Sequence, residues 1–241
     1  MPGVKAGHSL RTGGVSRAPH DSFNLGDHVG DRPEAVAANR RQLTQTLGAR
    51  PVFLKQVHGW GVQALPCPDG TEADACWGVS PGTACCMMVA DCLPILLSDD
   101  RGRVVAAAHA GWRGLCGRHG QGVVESLLGE LRRHHPNAHW LAWLGPCIGP
   151  QAFEVGDEVR AAFCAADPGA GEHFRPRIGA PGKWWCDLPA LARDRLHAQG
   201  VDRIWGNDGG GNWCTVGQPK RFFSHRRDRV SGRFAAAIFL T

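Results

Sequence analysis

Two apolar segments decide the fold predicted for this chain: VADCLPILL at residues 89–97 and AAAHAGWRG at residues 106–114. Both are largely apolar, the first with Val, Leu and Ile and the second with alanines, as expected of short buried strands. The turn sequence SDDRG lies between them. We therefore expect residues 83–97 and 103–109 to form a β-hairpin.

Polar residues interrupt this apolar pattern at two points. Asp91 and Cys92 stand in the middle of the first segment, and His109 closes the second. A buried strand disfavours a carboxylate unless that group has a partner. Pro94 cannot donate a hydrogen bond to a sheet, so we expect a bulge or a sheet edge there.

The rest of the chain mixes helical and extended patterns. A helix is predicted to begin at the N-cap Asp31, with Glu34 completing a capping box, and to end at Gly48. A strand then leads into a turn, with His58 at its end. Two further helices and two further strands are predicted, in the segments GVVESLLGELRRHHP, DLPALARDRLHAQG, HWLAWLG and RFAAAIFLT. Residues 166–183 have no clear pattern and are expected to be a long surface loop.

This order of elements indicates the fold class. Strands and helices do not alternate strictly, which favours an α+β fold over a parallel doubly wound sheet. We expect mixed β-sheets packed between helices, in a single domain spanning residues 1–241.

Composition limits the function classes. The 241 residues are 43% hydrophobic, and the net charge of +5 favours anionic ligands such as phosphate without indicating nucleic acid. No segment approaches the roughly 18 apolar residues of a membrane helix, and the first residues lack the apolar region of a secretory leader. The ten cysteines include no C-x-x-C pair. We therefore expect a cytoplasmic protein with reduced thiols and no disulfides.

Three residues at predicted strand ends could hold a metal: His58, Cys92 and His109. Two imidazoles and a thiolate suit zinc, and three protein ligands leave a position open, as in catalytic zinc sites. Each residue taken alone fits a buried structural role better than the role of a ligand. Asp91 could orient a ligand or act as a general acid or base. The alternative is a carboxylate that accepts hydrogen bonds from nearby backbone N–H groups.

Further polar residues are candidates for substrate binding. Asn24 lies in a loop before the first helix, and Arg226 and Arg227 follow Ser224 near the C-terminus. Paired arginines beside a serine suggest recognition of an anion, because a guanidinium can grip phosphate oxygens with two donors. The alternative is a pair of solvated side chains beside an edge strand.

Taken together, five segments resemble the signature blocks of the YfiH-type laccase-domain family. They are KQVHG, VADCLPILL, AAAHAGWRG, GPCIGPQAFEVG and the C-terminal CT with FFSHRRD. The resemblance runs from about Asn24 to the C-terminus. Proteins of this family were once called multicopper polyphenol oxidases and are now viewed as zinc-dependent purine nucleoside phosphorylases.

The resemblance implies an α+β fold and a metal held by His58, Cys92 and His109. It also implies phosphorolysis of adenosine, inosine, guanosine and methylthioadenosine, together with deamination of adenosine. The expected partners are therefore purine nucleosides and inorganic phosphate, without nucleic acid or membrane.

Three other functions stay open at this point. Cys92 could be the nucleophile of a cysteine hydrolase with His109 as its base, or a metal could serve hydrolysis. Either enzyme would suit the editing of a peptidoglycan precursor, which the family also suggests. A copper-dependent polyphenol oxidase would use the same two histidines and cysteine, but the sequence has none of the H-x-H pairs of a multicopper cluster. The last alternative is a non-enzymatic, metal-stabilised interaction domain.

Overall fold

A computed structural model describes residues 3–241, which form six α-helices and thirteen β-strands. The helices are α1 (Pro33–Leu47), α2 (Trp112–Cys116), α3 (Val123–His134), α4 (Asp157–Ala166), α5 (Leu188–Ala198) and α6 (His225–Asp228). The strands are β1 (Val4–His8), β2 (Arg50–Phe53), β3 (Val62–Ala64), β4 (Ala75–Gly78), β5 (Thr83–Val89), β6 (Leu93–Asp99), β7 (Val105–Ala110), β8 (Trp140–Leu144), β9 (Glu154–Gly156), β10 (Phe174–Pro176), β11 (Lys183–Cys186), β12 (Arg203–Gly206) and β13 (Phe234–Leu240).

The strands form three sheets. The largest has the order β12-β8-β6-β7-β4-β3, the second β1-β13-β5-β2, and the smallest β10-β11-β9. Parallel pairs join β12 to β8, β3 to β4 and β2 to β5, and the other neighbours are antiparallel. The two large sheets are therefore mixed, as predicted.

Buried side chains pack the two large sheets against each other and against helices. Cys85 and Met87 of β5 share one apolar cluster with Leu96 of β6. On the far face of the six-stranded sheet, Ile95 packs with Leu127 of α3. The far face of the four-stranded sheet packs against Leu43 of α1 and is also apolar. Two sheets thus lie between helices, and the predicted α+β fold is confirmed.

The predicted hairpin is confirmed for β6 and β7, which pair antiparallel across the SDDRG turn. Its first strand is shorter than predicted, because residues 83–89 form β5 in the other large sheet. The prediction for Pro94 is wrong: β6 is a central strand, and its register with β7 is regular. Pro94 fits because it lies at the start of β6, before the pairing with β8 begins at Ile95.

Asp91 directs the chain from one large sheet to the other. Its φ of 95° is unusual for a residue with a side chain. One carboxylate oxygen accepts from the hydroxyl of Thr215 at 2.5 Å, and the other accepts from the backbone N–H of Arg226 at 2.6 Å. The carbonyl of Asp91 accepts from Ile148 N–H at 2.9 Å. These contacts tie the crossing to the C-terminal segment.

The element boundaries bring further corrections. The first helix has Arg32 at its N-cap and no side-chain cap, so the capping box predicted for Asp31 and Glu34 is wrong. Instead, the carboxylate of Asp31 accepts from Arg32 N–H and from the amide of Asn24. The predicted end at Gly48 is confirmed.

The region predicted to be a surface loop is partly ordered. Within residues 166–183, a 3₁₀ helix at Pro168–His173 leads into β10, and β11 begins at Lys183. The two strands pair antiparallel, with β9 on the other side of β11. The prediction failed because these strands are only three and four residues long, too short for a clear alternation.

All ten cysteines are free, as predicted. Across residues 3–241, no helix combines the length and apolar character needed to cross a bilayer.

We predict that Asp91→Ala lowers the free energy of unfolding by about 3 kcal/mol, because the substitution removes two charge-assisted hydrogen bonds. Asp91→Gly is the matched control. It removes the same bonds but relieves the backbone strain, and should recover about 1 kcal/mol. Denaturant unfolding measures both variants. If Asp91→Gly is as stable as the wild type, the carboxylate contacts do not hold the crossing.

Candidate metal centre

His109 is the most buried member of the candidate site. It is the fifth residue of β7, and its side chain is 4% exposed. Its Nδ1 lies 2.8 Å from the carboxylate Oδ1 of Asp74. Because a carboxylate accepts hydrogen bonds, this contact holds a proton on Nδ1, so Nε2 is the ring nitrogen that could bind a metal once it loses its own proton.

Asp74 also fixes the loop that carries His58. This fully buried residue directly precedes β4, and its carboxylate accepts from three consecutive backbone N–H groups, those of Val57, His58 and Gly59, at 3.1, 3.0 and 2.7 Å. The prediction that His58 lies at a strand end is wrong. His58 lies in the turn that follows β2, five residues after the strand ends, and has a φ of 61°. One carboxylate thus orients both histidines.

Cys92 completes the cluster from the start of β6. Its Sγ lies 3.6 Å from Nε2 of His58, and the donor atoms of His58, Cys92 and His109 all lie within 4.8 Å of one another. Gly111 leaves room for this approach, since a Cβ there would stand 2.8 Å from the His58 ring and 3.0 Å from the Cys92 sulfur. The site therefore requires a residue without a side chain at Gly111.

The electrostatics of the cluster favour a thiolate. Burial alone would raise the pKa of Cys92, but the charge of His109 and hydrogen bonds from both imidazoles outweigh it and lower the pKa from 9.0 to about 6. Burial would likewise lower the pKa of His109, yet the Cys92 thiolate and the Asp74 carboxylate raise it from 6.5 to about 9. Contact with His109 and with the N–H groups of the loop lowers the pKa of Asp74 against the effect of burial.

This donor set fits a metal ion. A thiolate and two imidazole nitrogens are ligands that Zn²⁺ prefers, and three ligands leave a coordination position open. The Asp74 carboxylate behind His109 is the kind of outer contact that orients metal-bound histidines. Within residues 3–241, this is the one group of three or more His, Cys, Asp or Glu side chains close enough to share an ion.

The three donors lie in the wall of a cavity of about 930 Å³. Aromatic rings of Phe53, Trp112 and Phe153 line it, and Arg226 and Arg233 are among its cationic residues. The combination of aromatic surface and positive charge suits a ligand with a flat ring and an anionic group.

The residues predicted for catalysis and substrate binding separate into two sets. Asp91 and Arg226 line the cavity with the three donors, whereas Asn24 and Arg227 do not. Asn24 is fully buried and bonds to its own loop. The guanidinium of Arg227 donates to backbone carbonyls and pairs with Asp228 at 2.7 Å. Neither side chain is therefore available to a ligand in the cavity.

Sequence reasoning missed Asp74, Arg40 and Arg233. Asp74 lies between TEA and the apolar ACWG, and an acid at the start of a buried strand is the same signal that singled out Asp91. Nothing in the sequence distinguishes Arg40 or Arg233 from the other arginines.

Comparisons with known proteins extend over the whole chain. Residues 5–241 match the family model described as multi-copper polyphenol oxidoreductase laccase. A protein of Pseudomonas aeruginosa named purine nucleoside phosphorylase is 48% identical over 98% of this chain and 93% of its own length. The purine nucleoside phosphorylase YfiH of Escherichia coli is 47% identical over 99% of this chain and 94% of its own.

Solved structures show the same fold. A Neisseria meningitidis protein superposes with a TM-score of 0.86 at 40% identity, over 99% of this chain and 94% of its own. YlmD from Geobacillus stearothermophilus superposes with a TM-score of 0.85 at 30% identity, over 99% of this chain and 92% of its own.

We predict that Asp74→Asn weakens zinc binding by about 10- to 100-fold, because the histidines lose the carboxylate that orients them. Titration of zinc against a chromophoric chelator measures the affinity, and circular dichroism checks the fold. Glu72→Gln is the matched control. Glu72 lies two residues away and forms an exposed ion pair with Lys55 at 2.9 Å. Unchanged zinc affinity in folded Asp74→Asn would contradict the assigned role.

Proposed function

We propose that this chain, which belongs to the family described as multi-copper polyphenol oxidoreductase laccase, is a zinc-dependent purine nucleoside phosphorylase. The proposed substrates are adenosine, inosine, guanosine and methylthioadenosine with inorganic phosphate, and deamination of adenosine is a second activity. The observation that carries the proposal is the His58–Cys92–His109 cluster in the wall of a large cavity. The names of the relatives that are 47–48% identical support it.

In this proposal His58, Cys92 and His109 hold the metal, which when bound supplies a Lewis acid that activates an oxygen nucleophile. Asp74 keeps His109 in the tautomer that frees Nε2 for the metal. Asp91 shapes the turn that carries Cys92, and its carboxylate stays engaged with Thr215 and Arg226. Its role is therefore to position Cys92 rather than to exchange protons with substrate.

The remaining cavity residues bind and orient the two substrates. Phe153 and Trp112 provide aromatic surface for the purine ring. Arg226 shares the charge of phosphate, with its Nη1 anchored on the carbonyl of Glu154 at 3.0 Å. In phosphorolysis, a phosphate oxygen forms a bond to ribose C1′ while the C1′–N9 bond breaks. The electron pair of that bond leaves with the purine base, which takes up a proton.

Deamination follows a different balance of atoms. Water adds at C6 of adenosine, and the C6–N6 bond breaks to release ammonia and inosine. Phosphate takes no part in this reaction, so the two activities differ in their requirement for a co-substrate.

A second candidate function rests on the Cys92–His109 pair. A thiol whose pKa is lowered to about 6 beside a buried imidazole is also the arrangement of a cysteine hydrolase. Such an enzyme could edit a peptidoglycan precursor. It would need Cys92 free of metal, whereas the phosphorylase needs Cys92 as a ligand.

A copper-dependent polyphenol oxidase is the less favoured alternative. A blue-copper centre also uses two histidines and a cysteine, and the family description names copper. A multicopper oxidase needs further histidine-rich sites, and the described part of the chain brings together no second group of three metal-binding side chains.

Product analysis of the zinc-loaded protein tests the proposal. We predict that adenosine gives adenine and ribose 1-phosphate only when phosphate is present, and slower formation of inosine without it. Removal of zinc by a chelator should abolish both reactions, because both need the activated oxygen, and added zinc should restore them.

A cysteine hydrolase would give the opposite pattern. It would survive chelation, lose activity on thiol alkylation, and leave adenosine unchanged. Full turnover of adenosine by metal-free protein would contradict the zinc mechanism.

A further inference from the structure

Arg233 is a half-buried cation in the cavity wall that lacks a carboxylate partner among residues 3–241. It directly precedes β13, and its Nη1 donates to the carbonyls of Ser231 and Gly232 at 2.8 and 3.1 Å. Its Nε and Nη2 make no hydrogen bond within the described residues and are not sealed from solvent. The guanidinium is thus held on one side and has free donors on the other.

The loop before α1 fixes the position of this side chain. The backbone N–H of Arg233 donates to Oδ1 of Asn24 at 2.8 Å, and Leu25 N–H donates to the Arg233 carbonyl at 3.0 Å. A Cβ on Gly26 would lie 2.8 Å from Cγ of Arg233, so the stem of the arginine packs directly on this glycine. Asn24 is therefore a positioning residue for Arg233.

Arg40 and His28 also line this cavity, and the charges of Arg233 and Arg40 both act on the imidazole of His28. Arg40 of α1 donates to the carbonyl of Leu25 at 2.9 Å and stacks over the ring of Phe53 at 4.1 Å. Asp27 pairs with Arg40 at 3.2 Å and with His28 at 3.5 Å, but its side chain is 63% exposed. The solvated carboxylate of Asp27 thus pairs with Arg40 and His28 but not with Arg233.

The pKa values of Arg233 and His28 reflect burial and the charges of neighbouring groups. Burial lowers the pKa of Arg233, against the opposing influence of Cys92 and Asp91. Burial and the charge of Arg233 also lower the pKa of His28, although Asp27 acts in the other direction. An anion bound between these groups would relieve both effects.

We infer that Arg233, with Arg40 and His28 beside it, is the principal binding group for a phosphate dianion in the cavity that holds the metal cluster, where Arg226 also contributes positive charge. The free Nε and Nη2 of Arg233 form the two-pronged donor edge that matches phosphate oxygens. Arg227 differs from Arg233 because Asp228 neutralises its guanidinium. The assignment deepens the proposed function, on which the choice of inorganic phosphate rests, and a nucleotide phosphate offers the same chemistry.

Calorimetric titration of the zinc-loaded protein tests this subsite without phosphorolysis, because each ligand is titrated alone. The ligands are inorganic phosphate, adenosine 5′-monophosphate and the uncharged adenosine. Arg233→Met keeps the packing on Gly26 but removes the charge, and should weaken phosphate binding by about 10- to 100-fold while leaving adenosine binding intact. The phosphate affinity of Arg233→Lys should lie between those of the wild type and Arg233→Met, because an ammonium keeps the charge but lacks the two parallel N–H donors of a guanidinium.

Arg203→Met is the matched control. Arg203 lies outside the cavity and pairs with Asp100 at 3.5 Å on the surface. Its loss should leave the affinity for all three ligands unchanged. Zinc content and the unfolding midpoint of each variant establish that the site and fold are intact, and Arg233→Lys remains informative if Arg233→Met does not fold.

The outcomes separate the subsite from the reaction. A loss of affinity for inorganic phosphate supports the subsite with free phosphate as its ligand. A loss confined to the nucleotide supports the subsite and assigns it to a nucleotide phosphate. Unchanged affinity for both in folded Arg233→Met and Arg233→Lys overturns the inference, even if the wild type carries out phosphorolysis. Phosphate binding at Arg233 without phosphorolysis by the wild type would contradict the proposed function alone.

Discussion

The candidate site depends on a single buried carboxylate. Asp74 accepts from three consecutive N–H groups of the loop that carries His58, and from Nδ1 of His109 in the six-stranded sheet. A charged group buried to this degree is stable only when its hydrogen bonds are satisfied. The same bonds hold the backbone of the His58 loop and the imidazole of His109, and they leave Nε2 of His109 as the nitrogen available to a metal. The requirement to satisfy Asp74 therefore organises the metal ligands before any metal binds.

The third ligand depends on a second constraint, the passage of the chain between the two large sheets. Because Asp91 bends the backbone between β5 and β6, Cys92 emerges at the start of a central strand rather than in the middle of a buried one. The carboxylate of Asp91 ties this bend to the helix that carries Arg226. Arg226 and Cys92 consequently face one cavity, although 134 residues separate them in the sequence.

The parts of the fold that were predictable are those that local pattern encodes. The β6–β7 hairpin and α3 follow from apolar periodicity and turn residues, and His58, Cys92 and His109 were found by their chemistry. Asp74 was missed because its role depends on pairing between distant strands. Arg226 and Arg227 look equivalent in the sequence, but neighbouring residues of a helix point about 100° apart. Arg226 lines the cavity, whereas the guanidinium of Arg227 donates to the backbone carbonyls of Thr215 and Phe222.

In the proposed metal centre, two histidines and one cysteine hold a catalytic zinc with an open position. X-ray absorption spectroscopy of the zinc-loaded protein tests this assignment most directly, because zinc–sulfur bonds are longer than zinc–nitrogen bonds and the two can be told apart. We predict one sulfur at about 2.3 Å and two imidazole nitrogens at about 2.0 Å, with a further oxygen or nitrogen ligand. Loss of the sulfur signal in Cys92→Ser would identify that ligand. Absence of a zinc–sulfur bond in the wild type would contradict the assignment of Cys92 as a ligand.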